Sequence, residues 1–228
     1  MKLHKQFLAV PFFIVLFFSC KKESIVPQIL HYNYFPTETG SYVVYDVDSV
    51  VHAENDNNTD DSVYVSQYQI KEVIVSTFFD GEDRPTQRVM RYSRKEDSFE
   101  WNALGVFTQL VTSKGAFRTE ENIILHKLAF PINKRISWNG NASNTMTEEI
   151  LSYEEVHVPT SLGSLIFDST ISVLQIDESN FIEILYGIEQ YATHAGMIYK
   201  ERVNLRKVNG IVVKGTEFRM KVRSFGVE

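Results

Sequence analysis

The chain has 228 residues, of which 43% are hydrophobic, 23% charged and 13% aromatic, a balance that excludes collagen, coiled coil and wholesale disorder. Its formal charge is -6 and its cations never gather into a long basic block, so a nucleic-acid partner is not expected. The single cysteine, Cys20, excludes an intramolecular disulfide framework and a cysteine zinc site.

Residues 1–6 carry Lys2, His4 and Lys5, and residues 7–18 (FLAVPFFIVLFF) are uncharged and apolar. As a helix that run reaches about 18 Å, short of the ~30 Å hydrocarbon core, so it reads as the apolar segment of an export signal and not as a membrane span. Ser19, a small residue, precedes Cys20. The stretch Phe17-Phe18-Ser19-Cys20 resembles the lipobox of bacterial lipoproteins, in a loose, Phe-rich form. The resemblance implies cleavage after residue 19, acylation of Cys20, and residues 20–31 as a lipidated tether that begins Lys21, Lys22, Glu23, Ser24. One acyl chain binds a membrane marginally, whereas two or more hold a soluble domain on it.

Residues 32–228 are expected to form one β-rich domain. Val43, Tyr45 and Val47 alternate with Asp46 and Asp48, the pattern of a half-buried strand. Residues 55–62 (NDNNTDDS) form a polar, acidic loop. In 63–79 the apolar parity slips between Tyr68 and Ile70 on one side and Val73 and Val75 on the other, which predicts a bulge or bend. Further strands are expected at 88–93, 99–101, 106–112, 123–128, 149–158, 164–167, 171–176 and 181–186. The turns between them include Asp80-Gly81, Ser113-Lys114-Gly115, Asn139-Gly140-Asn141 and Leu162-Gly163. Residues 182–195 fit a helix or a strand, with strand favoured. In the C-terminal hairpin, Phe218, Met220 and Val222 alternate with Arg219, Lys221 and Arg223. Asn209-Gly210 suits a two-residue turn, and Tyr199, Val203 and Leu205 are expected on the same buried face. Many short strands with regular turns indicate an all-β fold: a single antiparallel, strongly curved sheet, a partly open barrel or a sandwich, with little helix.

Three patterns span most of the domain: Tyr34-Phe35-Pro36 with Gly40 and Tyr45; Phe130-Pro131 with Trp138, Gly140 and Asn141; and Glu189, Tyr191-Ala192, Gly196 and Met197-Ile198-Tyr199-Lys200-Glu201. They are similar to patterns in uncharacterised Bacteroidota lipoproteins. That resemblance implies lipidation and an all-β fold and supplies no catalytic residue. Read from the residues alone, the same positions serve turns and core.

No motif carries chemistry. Asp56, Asn58 and Asp60 have the spacing of half a calcium loop, but Asp61 and Gln67 stand where an EF-hand needs glycine and glutamate. The six histidines form no H-x-x-x-H, although Glu155 and His157 share one strand face. No G-x-S-x-G occurs, and Glu154 and Glu155 point to opposite faces. The sequence therefore predicts no enzyme, no catalytic residue, no metal and no cofactor. The expected role is a non-catalytic binding or scaffolding domain at the bacterial cell envelope, on the outer membrane, with its periplasmic or surface face open. Its partners would be the membrane, through acyl chains on Cys20, and an envelope protein or glycan. The alternative is a carrier whose sheet encloses an apolar cavity for a lipid or other hydrophobic ligand; an enzyme built from separated residues is third.

Deleting residues 57–61 should cost less than about 1 kcal/mol in a thermal melt, because loop-closure entropy varies slowly with length. A calcium-dependent rise in the melting temperature of the intact protein would instead make Asp56, Asn58 and Asp60 ligands.

Overall fold

The computed structural model describes residues 30–53 and 62–228. Cys20, the leader, most of the tether and Asp56, Asn58 and Asp60 lie outside the described residues. After a 3-10 turn at Tyr32–Tyr34 come twelve strands. They are β1 (Ser41–Ala53), β2 (Ser62–Phe79), β3 (Pro85–Arg94), β4 (Asn102–Val111), β5 (Gly115–Glu120), β6 (Ile123–Ala129), β7 (Ser137–Asn139), β8 (Ile150–Leu162), β9 (Leu165–Ser179), β10 (Glu183–Ala192), β11 (Gly196–Val208) and β12 (Ile211–Val227).

All twelve belong to one antiparallel sheet in the order β6-β5-β4-β3-β2-β1-β12-β11-β10-β9-β8-β7. Two six-stranded meanders, β1–β6 and β7–β12, are thus joined by pairing of the first strand with the last, with Ser41 opposite Val227. The sheet curls until its edges β6 and β7 meet. There His126 N donates to Gly140 O at 2.8 Å and Trp138 Nε1 donates to His126 O at 2.9 Å. The result is a nearly closed barrel with a seam between β6 and β7, the curved all-β sheet expected from the period-two pattern.

The main core fills the end of the barrel where the chain enters. Tyr34, Phe35, Tyr45, Leu128, Trp138, Tyr153, Ile171, Val173, Tyr191 and Ile198 are buried there. The entering segment is pinned through Tyr34, whose hydroxyl bonds His157 Nδ1 at 2.8 Å and Ser169 Oγ at 2.6 Å. His157 sits at a register shift in β8 with φ of 58°, and its ring lies 4.2 Å from that of His31. Because strands alternate in direction, the hairpin tips at 179–183 and 208–211 lie at the opposite end, as do the end of β1 at Ala53 and the start of β2 at Ser62.

Several expectations hold. β2 carries a bulge as expected, although it lies between Ile74 and Ser76, beyond the Tyr68-to-Val73 stretch where the apolar parity slips. Asn209 and Gly210 both have positive φ (52° and 80°) between paired Val208 and Ile211, as the two-residue turn requires. Met220 and Val222 are buried, Phe218 packs against the core, and Arg219, Lys221 and Arg223 are exposed.

Other expectations need correction. Tyr199 lies opposite Lys221, and Val203 opposite Glu217, so both share the outer face with Arg219. The residues facing Met220 and Phe218 are Lys200 and Arg202. Leu205 is buried, but it pairs with Gly215 at the parity of Val203 and so does not share the face of Met220. Residues 99–101 precede β4 instead of forming a strand, β5 and β7 are additional strands, and 164–167 and 171–176 belong to the single strand β9.

Gly215 has φ of 140°, and a Cβ there would lie 2.0 Å from the Asn204 carbonyl oxygen across the β11/β12 ladder. Gly215→Ala should therefore loosen the terminal hairpin. Met220→Ala should cost about 2–5 kcal/mol by opening a cavity. Arg219→Ala, which loses an exposed pair with Glu201, should cost less than about 1 kcal/mol. Thermal melts check the order. A larger loss for Arg219→Ala than for Met220→Ala would mean that β12 has the opposite face inward.

Candidate functional site

Charged side chains occupy the barrel interior beside the apolar core. Glu72 from β2, Arg91 from β3, and Arg118 and Glu120 from β5 form one ion-pair cluster, and Lys127 from β6, Glu189 from β10 and Lys200 from β11 form a second beside it; together they make up the interior network. The ladder explains most of the placements. Glu72 sits opposite Arg91 and Glu189 opposite Lys200, the spacing at which cross-strand charges meet. Lys127 is placed by a bulge: Ala116 pairs with Leu128 and Phe117 with His126, so Lys127 has no partner on β5 and turns inward.

In the first part of the network, Arg91 donates to Glu72 Oε1 from Nε at 2.9 Å and from Nη2 at 2.6 Å. It also donates to Glu120 at 3.1 and 3.2 Å. Arg118 Nη1 lies 3.3 Å from Glu72 Oε2. Both guanidinium groups rest on the Phe107 ring, at 4.7 Å for Arg91 and 4.3 Å for Arg118, where the ring face adds cation–π attraction.

The second part centres on Glu189, which is only 1% exposed. Lys127 Nζ donates to its Oε1 at 2.6 Å, Tyr191 OH donates to its Oε2 at 2.6 Å, and Lys200 Nζ stands 3.3 Å from Oε1. Burial by itself would raise this carboxyl. Lys127, Lys200 and the Tyr191 hydroxyl overcome that effect and hold it well below its ordinary value. Tyr191 moves the opposite way: burial and then the adjacent Glu189 charge push its phenol up, so it stays a neutral donor.

The network borders open space. A cavity of about 150 Å³ is lined by Arg91, Arg118, Glu120, Lys127, Glu189 and Lys200 together with apolar groups such as Ile70 and Met220. A second, of about 220 Å³, shares Leu125, Lys127 and Lys200 with it. This one runs to the seam past His126, Gly140, Glu149, Leu151, Gln175 and Arg202. Arg202 Nη1 donates to Glu149 at 2.8 Å and to Gln175 Oε1 at 3.0 Å. A smaller space of about 50 Å³ near the chain-entry end is lined by Phe35, Val43, Ile74 and Val89, among others. The carrier alternative calls for an enclosed apolar cavity of several hundred Å³; these three spaces are each bordered by charged side chains, the smallest by Glu72 and Arg118.

The residues singled out from sequence lie elsewhere. His157 and Glu155 are exposed on β8, and His157 bonds Tyr34 instead of joining Glu155. His52 pairs with Glu217 at 2.9 Å. Among the described residues no group of three or more His, Cys, Asp or Glu is placed to hold a metal ion. Every member of the interior network escaped the sequence reading as chemistry, although Glu189 and Lys200 lie within the third recurring pattern. The usable signal was charge at the parity of buried apolar residues: Glu72 alternates in phase with Ile70, and Arg91 with Val89.

Neither the protein-family models nor the curated proteins include a match to this chain. Among solved structures, a candidate exported protein with YmcC-like fold from Bacteroides fragilis is similar at 10% identity and a TM-score of 0.45, over 84% of this chain and 98% of that one. The likeness is loose, and the functional reading comes from this chain's own geometry.

Glu189→Gln should cost about 3–5 kcal/mol at neutral pH, because Lys127 is left buried without its counter-charge. Exchanging both partners, Lys127→Met with Glu189→Leu, should restore most of that loss. A folded carboxyl held below its ordinary value of 4.5 stabilises the protein above that pH. The contribution fades as the pH falls toward the folded value. Melting temperature should therefore drop less steeply between about pH 5 and pH 3 in Glu189→Gln than in the wild type. Parallel slopes would mean that the pair does not bear on stability.

Proposed function

We propose that the chain is a lipid-anchored protein of a bacterial cell envelope whose barrel is a non-catalytic binding module, receiving a small ligand in the charged interior cavity. The observation that carries this reading is the cavity itself, bordered by fixed cations and carboxylates and running to the seam between β6 and β7. Each charge is held by neighbours on rigid strands, an arrangement suited to recognition.

The anchor rests on the lipobox resemblance at Phe17-Phe18-Ser19-Cys20. Two structural features are in keeping with a domain tethered in water beside a membrane. The outer face of β12 presents Arg219, Lys221 and Arg223, with Arg219 paired to Glu201 and Arg223 to Asp46 and Asp97, where a transmembrane barrel carries an apolar band. The described chain also enters at one end of the barrel, so the tips at 179–183 and 208–211 lie at the end remote from the tether.

A second reading draws on those tips. Phe181 is 87% exposed, and Ile182, Val208 and Ile211 are exposed near it. Such a cluster favours docking of an envelope partner, the scaffolding role.

Cys20→Ala should leave the precursor uncut or move the protein from the membrane to the soluble fraction, and it should abolish incorporation of labelled palmitate. Membrane fractionation and labelling in intact cells check this, and unchanged membrane association would refute the anchor. Native mass spectrometry of the full lipidated protein, released from membranes in mild detergent, checks the binding module. A co-purifying small molecule is expected, and its loss on narrowing the cavity with Leu125→Trp would place it inside.

A further inference from the structure

The interior network does not balance. Arg91, Arg118, Lys127 and Lys200 contribute four cations against the three carboxylates of Glu72, Glu120 and Glu189. Within the first meander Arg91 and Arg118 offset Glu72 and Glu120, and within the second Lys200 faces Glu189 across the β10/β11 ladder. Lys127 is the additional cation. It takes the closer bond to Glu189, 2.6 Å against 3.3 Å for Lys200. The surplus positive charge therefore falls on Lys200, which lines both cavities.

Lys200, its side chain one-third exposed, shares the Glu189 carboxylate with Lys127, and an anion entering the cavity would give it a second partner. Three buried side-chain polar atoms lack a hydrogen-bond partner among the described residues, Gln87 Oε1, Arg118 Nε and His126 Nε2. Of these, Arg118 belongs to the lining of the inner cavity, whereas His126 Nε2 is packed against Gly115 and the Leu128 carbonyl. Buried polar atoms are nearly always paired in folded proteins, so Arg118 Nε is a donor available at the cavity wall. At the mouth, Glu149 and Arg202 neutralise each other, and Gln175 is neutral. Leu125 and Leu151 supply apolar wall. Because Arg202 is already paired with Glu149, a second negative group on the ligand would find no free cation at the mouth. The combined space exceeds what a single ion fills, since a water's share of liquid is about 30 Å³.

We propose that the cavity binds a small organic monoanion, its carboxylate seated at Lys200 and Lys127 and its neutral polar remainder extending toward Gln175 and the seam. This proposal rests on the binding-module reading and narrows it to one ligand chemistry.

The test uses the full lipidated chain in detergent, followed by thermal shift and calorimetry at matched ionic strength. Acetate, lactate and glucuronate serve as monoanion probes, glycerol and glucose as neutral ones, and succinate and inorganic phosphate as probes with more charge. A monoanion should raise the melting temperature in a concentration-dependent way, while sodium chloride and the neutral probes should not. Lys200→Met should weaken that monoanion at least tenfold and Lys200→Arg should retain it. Glu189 keeps Lys127 and Tyr191 in both variants, and the unliganded melting temperature monitors their folding. Arg219→Met, on the outer face, should leave binding unchanged.

Three results would overturn the proposal: no monoanion acting beyond chloride, an equal effect in Lys200→Met, or phosphate and succinate binding more tightly than the monoanions. A neutral molecule identified in the cavity would overturn the anion inference and leave the binding module standing. An empty cavity indifferent to every probe would count against both. The anchor, read by fractionation, is independent of either outcome.

Discussion

The bond from Lys127 to Glu189 crosses the barrel interior, and much of the architecture is arranged around it. Lys127 belongs to β6, the free edge of the first meander, whereas Glu189 lies on β10 in the second. No ladder joins those strands. On one side of the barrel the halves are joined by the β1/β12 pairing, and on the other they are tied through the interior by this ion pair and at the rim by the seam hydrogen bonds. A bond of 2.6 Å between groups this deeply buried tolerates little displacement, so the bulge that frees Lys127 and the register that sets Glu189 opposite Lys200 depend on each other. Tyr191 completes the arrangement by filling the other carboxylate oxygen with a neutral donor.

The same bond accounts for the interior being partly open. Charged side chains need partners at hydrogen-bond distance and cannot interdigitate as aliphatic ones do. The core near the chain-entry end, built on Tyr34, Tyr45, Trp138 and Ile198, is closely filled. Along Arg118, Lys127 and Lys200 the barrel instead retains space. Structure and candidate site are two halves of one cylinder, one apolar and one ionic. Tyr45 borders both, its ring in the core and its hydroxyl donating to Met197 O at 2.9 Å.

The sequence made the architecture legible wherever one strand face meets water and the other meets hydrocarbon. β12 is the clear case, because Met220 and Val222 lie inward and Arg219, Lys221 and Arg223 outward. The logic failed on β11, where Lys200 and Arg202 face inward and Tyr199 and Val203 outward. A charged residue on a strand reads as solvent-facing unless its counter-charge is known, and Glu189 and Glu149 are brought alongside only by the fold. Lys127 was harder still, since its inward turn requires a bulge that leaves no mark on periodicity. Glu189, Tyr191, Met197 and Lys200 stood within a recurring pattern and were read there as packing, a description the buried Glu189–Tyr191 bond fits only in part.

Pairing of β1 with β12 governs how such a chain can be built. A strand near one terminus finds its partner near the other, so closure is a contact of very long sequence separation, the type that folds slowly. While a nascent chain emerges from its N-terminal side, the first meander can assemble with Arg91, Arg118, Glu72 and Glu120 already satisfied. One side of β1 meanwhile stays unpaired from Tyr42 to His52 until β12 arrives. An unpaired strand of that length is a template for intermolecular pairing. A chain truncated before Ile211 would therefore carry a permanent adhesive edge and aggregate, and every growing chain carries that same edge until its last strand is delivered.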